Sequence, residues 1–188
     1  MGSVMLVTLI ILIVIVLIGA WVVSVYNRLV QQRNLVDEGW SGIDVQLKRR
    51  YDLIPNLVET VKGYSIHEKS VLENIASLRS AAMGAKTLTE KTEAEEGLTK
   101  ALKTLFAVAE NYPDLKANQN FLSLQKSLTS IEEEIQLSRR YYNGAARNYN
   151  IATTVFPTSI VANMTGFKKV PYFEATEAER EVQKVKFD

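Results

Sequence analysis

No charged side chain occurs before Arg28. Inside that stretch, Val4 to Val25 is a run of 22 residues, 16 of them Val, Leu or Ile. As a helix it spans about 33 Å at ~1.5 Å per residue, slightly more than a ~30 Å hydrocarbon core. Each aliphatic residue near the centre favours insertion by ~0.3 to 0.6 kcal/mol, several kcal/mol in sum. A secretory signal would carry a basic leader, a shorter apolar core and a small-residue cleavage site. Here Met-Gly-Ser precedes the run, and Gly19-Ala20 leads straight into Trp21. The expectation is an uncleaved membrane span over 1–27. Trp21, Tyr26, Arg28 and Arg33 are its candidate interface residues, because amphipathic rings and cations prefer the headgroup level.

Charge placement predicts orientation. Arg28, Arg33, Lys48, Arg49 and Arg50 follow the span and no base precedes it. The positive-inside rule then puts the C-terminal part in the cytoplasm and a short N-terminus outside. The whole chain has 22 basic and 21 acidic residues, a balance that argues against nucleic-acid binding. Zero Cys excludes disulfides, thiolate metal sites, a Cys nucleophile and lipidation through Cys.

All 43 charged residues lie in 28–188, where helical periodicity dominates. Phe121, Leu124, Leu128, Ile131, Ile135, Ser138, Tyr142, Ala145, Tyr149, Ala152 and Phe156 alternate steps of three and four, a seam that Pro157 ends. A second seam runs Leu57, Val61, Tyr64, Glu68, Val71, Ile75, Leu78, Ala82. Pro55 predicts a break or sharp kink at Asp52–Pro55 before it. A stripe of Leu29, Arg33, Val36, Trp40, Ile43, Leu47 and Arg50 continues the membrane helix. Gly39 and Gly42 predict close packing or a bend there. A weaker helix covers about 90–111 on Ala94, Leu98, Ala101, Leu105, Val108 and Tyr112. Thr176 and Glu179 resemble a capping box for a short helix in the tail. One amphipathic helix cannot bury its stripe alone. The predicted fold is all-α, a transmembrane helix followed by an antiparallel four-helix bundle with long helices. The predicted division is an anchor at 1–27, a bundle at 28–166 and a tail at 167–188 packed on or near it.

The chain resembles the LemA family. The segments that carry the likeness are Tyr26-Asn27-Arg28-Leu29-Val30, Asp44 to Val58, Glu59-Thr60-Val61-Lys62-Gly63-Tyr64 and His67-Glu68, then Arg140, Tyr142-Asn143, Tyr149-Asn150, Phe156-Pro157, Gly166-Phe167 and Pro171-Tyr172-Phe173. The resemblance covers about 26–175. It implies a bacterial inner-membrane protein with a cytoplasmic helical bundle. It offers no agreed catalytic residues, and it implies a membrane partner such as a membrane protease.

Read for chemistry, the residues exclude more than they supply. His67-Glu68 opens like a zinc-protease motif, but position 71 is Val71 and the chain has one His. The same count excludes a bundle di-iron site. No phosphate-binding Gly-rich loop and no Gly-x-Ser-x-Gly elbow exist. A Ser–His–acid triad through His67 is the remaining formal route to catalysis. No catalytic, cofactor or metal residue is assigned.

Arg33 and Arg50 sit on an apolar stripe, where cations are disfavoured. One reading pairs Arg50 with Glu132 or Glu134 across helices to fix register. The other lets the stem pack while the guanidinium reaches water or phosphate. Tyr142-Asn143 repeats as Tyr149-Asn150 seven residues on, which predicts a polar layer in the bundle or, as the sharper alternative, a ligand pocket. The long last seam exceeds the cover its neighbours supply, so a homo-oligomer is expected. The expected function is a non-enzymatic, membrane-anchored scaffold or adaptor that binds itself or a membrane protein. Membrane organisation, envelope stress and signalling through the membrane helix are the alternatives.

Overall fold

The computed structural model describes residues 2–64 and 69–173. Among them are six helices and no strand: α1 Gly2–Lys62, α2 Lys69–Gly84, α3 Leu88–Ala109, α4 Pro113–Lys116, α5 Gln119–Thr154 and α6 Thr158–Thr165. The all-α expectation holds for these residues. Two compact units form. One takes 2–41 and 140–172, the other takes 42–64, 69–139 and 173, so α1 and α5 contribute to both.

In the second unit, α1 buries Ile43, Leu47, Arg50, Ile54, Leu57 and Val61. These steps of four and three place every member on one helical face. The helix therefore runs through Pro55, without the break that was one of the two outcomes predicted at Asp52–Pro55. Proline removes the amide that would bond the carbonyl four residues back. That carbonyl belongs to Tyr51, and Arg79 Nε of α2 donates to it at 2.8 Å. Burial on both sides of Pro55 and a replacement donor keep the helix intact, and the Pro55 ring is exposed. The helix ends instead at Lys62, with Gly63 and Tyr64 in a turn. The seam read over 57–82 as one helix is thus divided: Leu57 and Val61 lie on α1, and Leu72, Ile75 and Ala82 are the buried positions of α2. His67 and Glu68 lie outside the described residues, as does the Thr176–Glu179 capping pattern.

α2 packs on α3. Thr87 starts α3 with a capping box: its Oγ1 accepts from Glu90 N at 3.2 Å, and Glu90 Oε2 accepts from Thr87 N at 3.2 Å. Leu98, Leu105, Leu115, Phe121, Leu128 and Ile135 are further core positions.

In the first unit, Val25 and Leu29 of α1 cluster with Val161 and Ala162 of α6. Gly39 is buried against α5, where an added Cβ would stand 3.0 Å from Tyr142 Cα. Close packing is therefore the reason for a glycine at 39. The α5 seam stops at Thr154, so Phe156 is no seam residue. It lies past the helix end and is 77% exposed. Helix α6 was not foreseen. Gly166 ends it in the left-handed conformation (φ 79°), and Phe167 N bonds Ala162 O at 3.0 Å.

Candidate functional site

The second unit buries a cluster of ionisable side chains. Arg50 replaces an apolar residue on the α1 seam and is 3% exposed. Its Nη1 lies 3.2 Å from Glu95 Oε2 and 3.0 Å from Glu132 Oε2, and its Nη2 donates to Thr99 Oγ1 at 2.8 Å. Glu95 is wholly buried, and its other oxygen accepts the Tyr51 hydroxyl. One guanidinium thereby joins α1, α3 and α5. Glu132 is the half-buried member, with 30% of its side chain exposed.

Burial pushes the Glu95 carboxyl up. The Tyr51 hydroxyl, Arg50 and Arg139 oppose that shift and Glu132 adds to it. Burial, then the Glu95 charge, raises the Tyr51 phenol as well. Arg139 places its Cζ 4.3 Å from the Phe173 ring centre. Each Glu95 oxygen thus has a donor inside the protein. Desolvation offsets the attraction in such a network, so it adds little net stability. A cleft of about 210 Å³ opens beside Arg50, lined by Thr99, Leu102, Phe106, Leu128 and Glu132. Among the described residues no group of three His, Asp or Glu side chains is placed to hold a metal.

The first unit holds a second polar group. Asn150 clasps the backbone of Val170 from both sides: its Nδ2 donates to Val170 O at 2.9 Å and its Oδ1 accepts Val170 N at 2.9 Å. The Tyr142 hydroxyl donates to Pro171 O at 2.8 Å, and the Tyr142 ring meets Trp40 edge-on at 5.9 Å. Tyr149 instead faces the Arg33 guanidinium, 5.9 Å from its ring centre, and packs on Phe167. Arg33 also pairs with Asp37 at 3.2 Å.

The residues singled out in the sequence thus fall into separate sets. Arg50 and Glu132 meet, while Glu134 is exposed. Tyr142 and Asn150 act together on the 170–171 backbone, and Asn143 is half-buried. Trp21 and Arg28 are exposed, and Tyr26 stacks on Phe167 at 5.8 Å. Glu95, Thr99 and Tyr51 were missed. Glu95 had a readable signal: with Leu98, Leu102, Leu105 and Ala109 it forms a three-four seam, a carboxylate on a core face.

In α1 the described residues include one helix long and apolar enough to cross a membrane. Its aliphatic residues from Val4 to Ile18 are all exposed. The class defined by these features is an all-helical protein with a single candidate membrane span, consistent with a single-pass membrane protein. Residues 39–187 match the family model described as the LemA family, and the chain belongs to that family.

Among characterised relatives, the chain is similar to magnetosome protein MamQ 2 of Paramagnetospirillum magneticum at 27% identity, covering 81% of this chain and 66% of the relative. Magnetosome protein MamQ of Magnetospirillum gryphiswaldense is 26% identical, with the same 81% and 66% coverage. Protein LemA of Metamycoplasma hominis is 29% identical over 82% of this chain and 71% of its own length. The chain thus spans about two thirds of the length of the magnetosome relatives. None of these names denotes an enzyme.

Proposed function

We propose that the protein is a non-enzymatic scaffold or adaptor, anchored by residues 4–25 in the cytoplasmic membrane of a bacterium, with its helical part in the cytoplasm. It works by binding further copies of itself, another membrane protein, or both. The observation that carries this reading is the wholly buried Glu95, held on one oxygen by Arg50 and on the other by Tyr51. Its most buried charges are spent on holding three helices together, which serves a rigid presenting surface rather than turnover. The cations at 28, 33 and 48–50, just after the span, support the cytoplasmic placement.

Purification in mild detergent at native expression, with native mass and mass spectrometry of co-purifying proteins, tests it. The expected result is a complex of several copies or a stoichiometric membrane-protein partner. A lone monomer would refute the reading. The relatives named for a cellular structure, the magnetosome, favour membrane organisation as a second reading. Vesicles whose shape and permeability stay unchanged when the protein is inserted would remove it.

A further inference from the structure

The end of α5, the turn after it and α6 form a second uncharged stretch. Between Arg147 and Lys168 lie 20 residues, 148–167, without a single Lys, Arg, Asp, Glu or His. In a chain where charges are otherwise dense after residue 27, that gap is unusual. The exposed side chains it presents are large and apolar: Ile151 51%, Val155 52%, Phe156 77%, Ile160 48% and Met164 81%. Ile160 and Met164 stand one turn apart, on the outer side of α6, while Val161 and Ala162 face inward.

The inward side fixes where this tip sits along α1. Val161 and Ala162 pack against Val25 and Leu29, with Val22 at the edge of the cluster. Val22 and Val25 belong to the apolar run itself. Val22 lies six residues before Arg28, about 9 Å of helix rise, so α6 lies level with the last turns of the span. That is the depth at which an interfacial helix buries its apolar face, about 5 to 10 Å into the headgroup and acyl boundary.

The threonines in and beside the tip turn their hydroxyls to the backbone, which suits that depth. Thr153 and Thr154 donate their hydroxyls to Asn150 O, Thr158 to Ala152 O and Thr165 to Val161 O. Three of the turn's amides are bonded within it, Val155 N on Ile151 O, Ser159 N on Val155 O and Ile160 N on Pro157 O. Backbone that enters lipid must find its partners within the protein. Exposed cations border the stretch, with Arg147 before it, Lys168 and Lys169 after it, and Arg28 on α1. They match a layer of lipid phosphates.

We infer that the tip formed by residues 151–164 is a second membrane contact, inserted into the headgroup and acyl boundary of the same leaflet in which the span ends. This rests on the anchor reading above. The span and the tip together would hold the first unit to the bilayer at two places, rather than letting it swing on one helix.

The absence of Cys allows a direct test on the full chain in phosphatidylcholine–phosphatidylglycerol vesicles. An environment-sensitive fluorophore is placed by Phe156→Cys, Met164→Cys, Ile13→Cys or Glu38→Cys, with iodide on both sides of the bilayer and nitroxide carried high on the acyl chain. Labels at 156 and 164 are expected to be quenched by the lipid nitroxide and to show iodide quenching about threefold or more below that at 38. Labels at 156 and 164 as open to iodide as that at 38, with Ile13 shielded, would overturn the inference and leave the anchor standing. Shielding at 156 and 164 from both quenchers would overturn it in favour of a protein cover such as a second copy. An Ile13 label open to iodide would overturn the anchor and the tip with it.

Discussion

The side chain of Arg79 completes the backbone of a different helix, its Nε donating at 2.8 Å to the Tyr51 carbonyl that Pro55 leaves without an amide. The pairing explains how a proline stays inside α1. It also makes the two positions energetically dependent on each other. Arg79→Ala strands a carbonyl and is expected to cost about 1 kcal/mol. In a Pro55→Ala background the amide of residue 55 supplies the bond, and the same substitution should cost close to nothing. Urea denaturation in mild detergent, followed by circular dichroism, gives the double-mutant cycle. Equal costs in both backgrounds would show that the arginine does not serve the proline gap.

The buried Glu95 makes a signed prediction about pH. Its folded-state pKa is raised above the ordinary 4.5, mainly by burial. The folded protein therefore keeps a proton over a range in which the unfolded chain has lost it. Stability from this group is greatest below about pH 4.5 and is lost as pH rises from there through the folded value, then stays level. Glu95→Gln cannot titrate. The stability of the variant relative to wild type should climb with pH across that window and then plateau. A difference independent of pH would mean that burial does not govern this carboxyl.

Arg50 carries the heaviest cost in the network. Arg50→Met abandons Glu95 in an interior with no water access, a change expected to cost about 3 to 5 kcal/mol. Arg50→Met with Glu95→Leu removes both charges and should recover most of the loss, since Glu132 is 30% exposed and can turn to solvent. Denaturation midpoints of the three proteins decide it. A double variant no better than the single one would indicate that Arg50 stabilises by packing of its stem.

The sequence analysis reached these sites unevenly, for physical reasons. Periodicity exposes what is repeated, so the α5 face was legible, the apolar run of the candidate span stood out by composition, and Arg50 stood out as a charge in an apolar series. Pairing across helices is not periodic. Glu132 was readable only as an acid beside a seam, and which of Glu132 and Glu134 meets Arg50 depends on the rotation of α5. Pro55 misled because its cost is local while the compensating donor, Arg79, is 24 residues away. Helix α6 was overlooked because eight residues hold barely two turns of pattern, although Gly166 marked its end.

Gly39 and Gly144 offer a matched pair. Both are interior to helices. A Cβ at 39 would meet Tyr142 Cα at 3.0 Å and the Tyr141 ring at 3.1 Å, while at 144 nothing lies within 4 Å. Gly144→Ala should stabilise by about 0.5 to 1 kcal/mol through helix propensity. Gly39→Ala gains the same propensity but must move a backbone, and is expected to destabilise by about 1 to 3 kcal/mol. Opposite shifts in melting temperature check this. Shifts of the same sign would show that α1 and α5 separate at little cost.

Asn150 both donates to and accepts from the backbone of one residue after Gly166, Val170. Aspartate is nearly isosteric but only accepts when ionised. Asn150→Asp therefore keeps the bond from Val170 N, loses the one to Val170 O, and leaves a charge where the residue is 7% exposed. Losing a neutral bond alone costs about 0.5 to 1.5 kcal/mol, the expected range for Tyr142→Phe, which gives up only the Pro171 contact. The aspartate should cost more than that. Lys168 and Lys169 are exposed beside the clasp. Trypsin acts there in proportion to the fraction of time the segment is released. Cleavage after these lysines is expected to accelerate modestly in Tyr142→Phe and by roughly tenfold or more in Asn150→Asp, since about 1.4 kcal/mol is tenfold in the opening equilibrium. An Asn150→Asp protein cut no faster than wild type would mean that the segment is held by its apolar contacts, with Val170 and not Asn150 as the fastening.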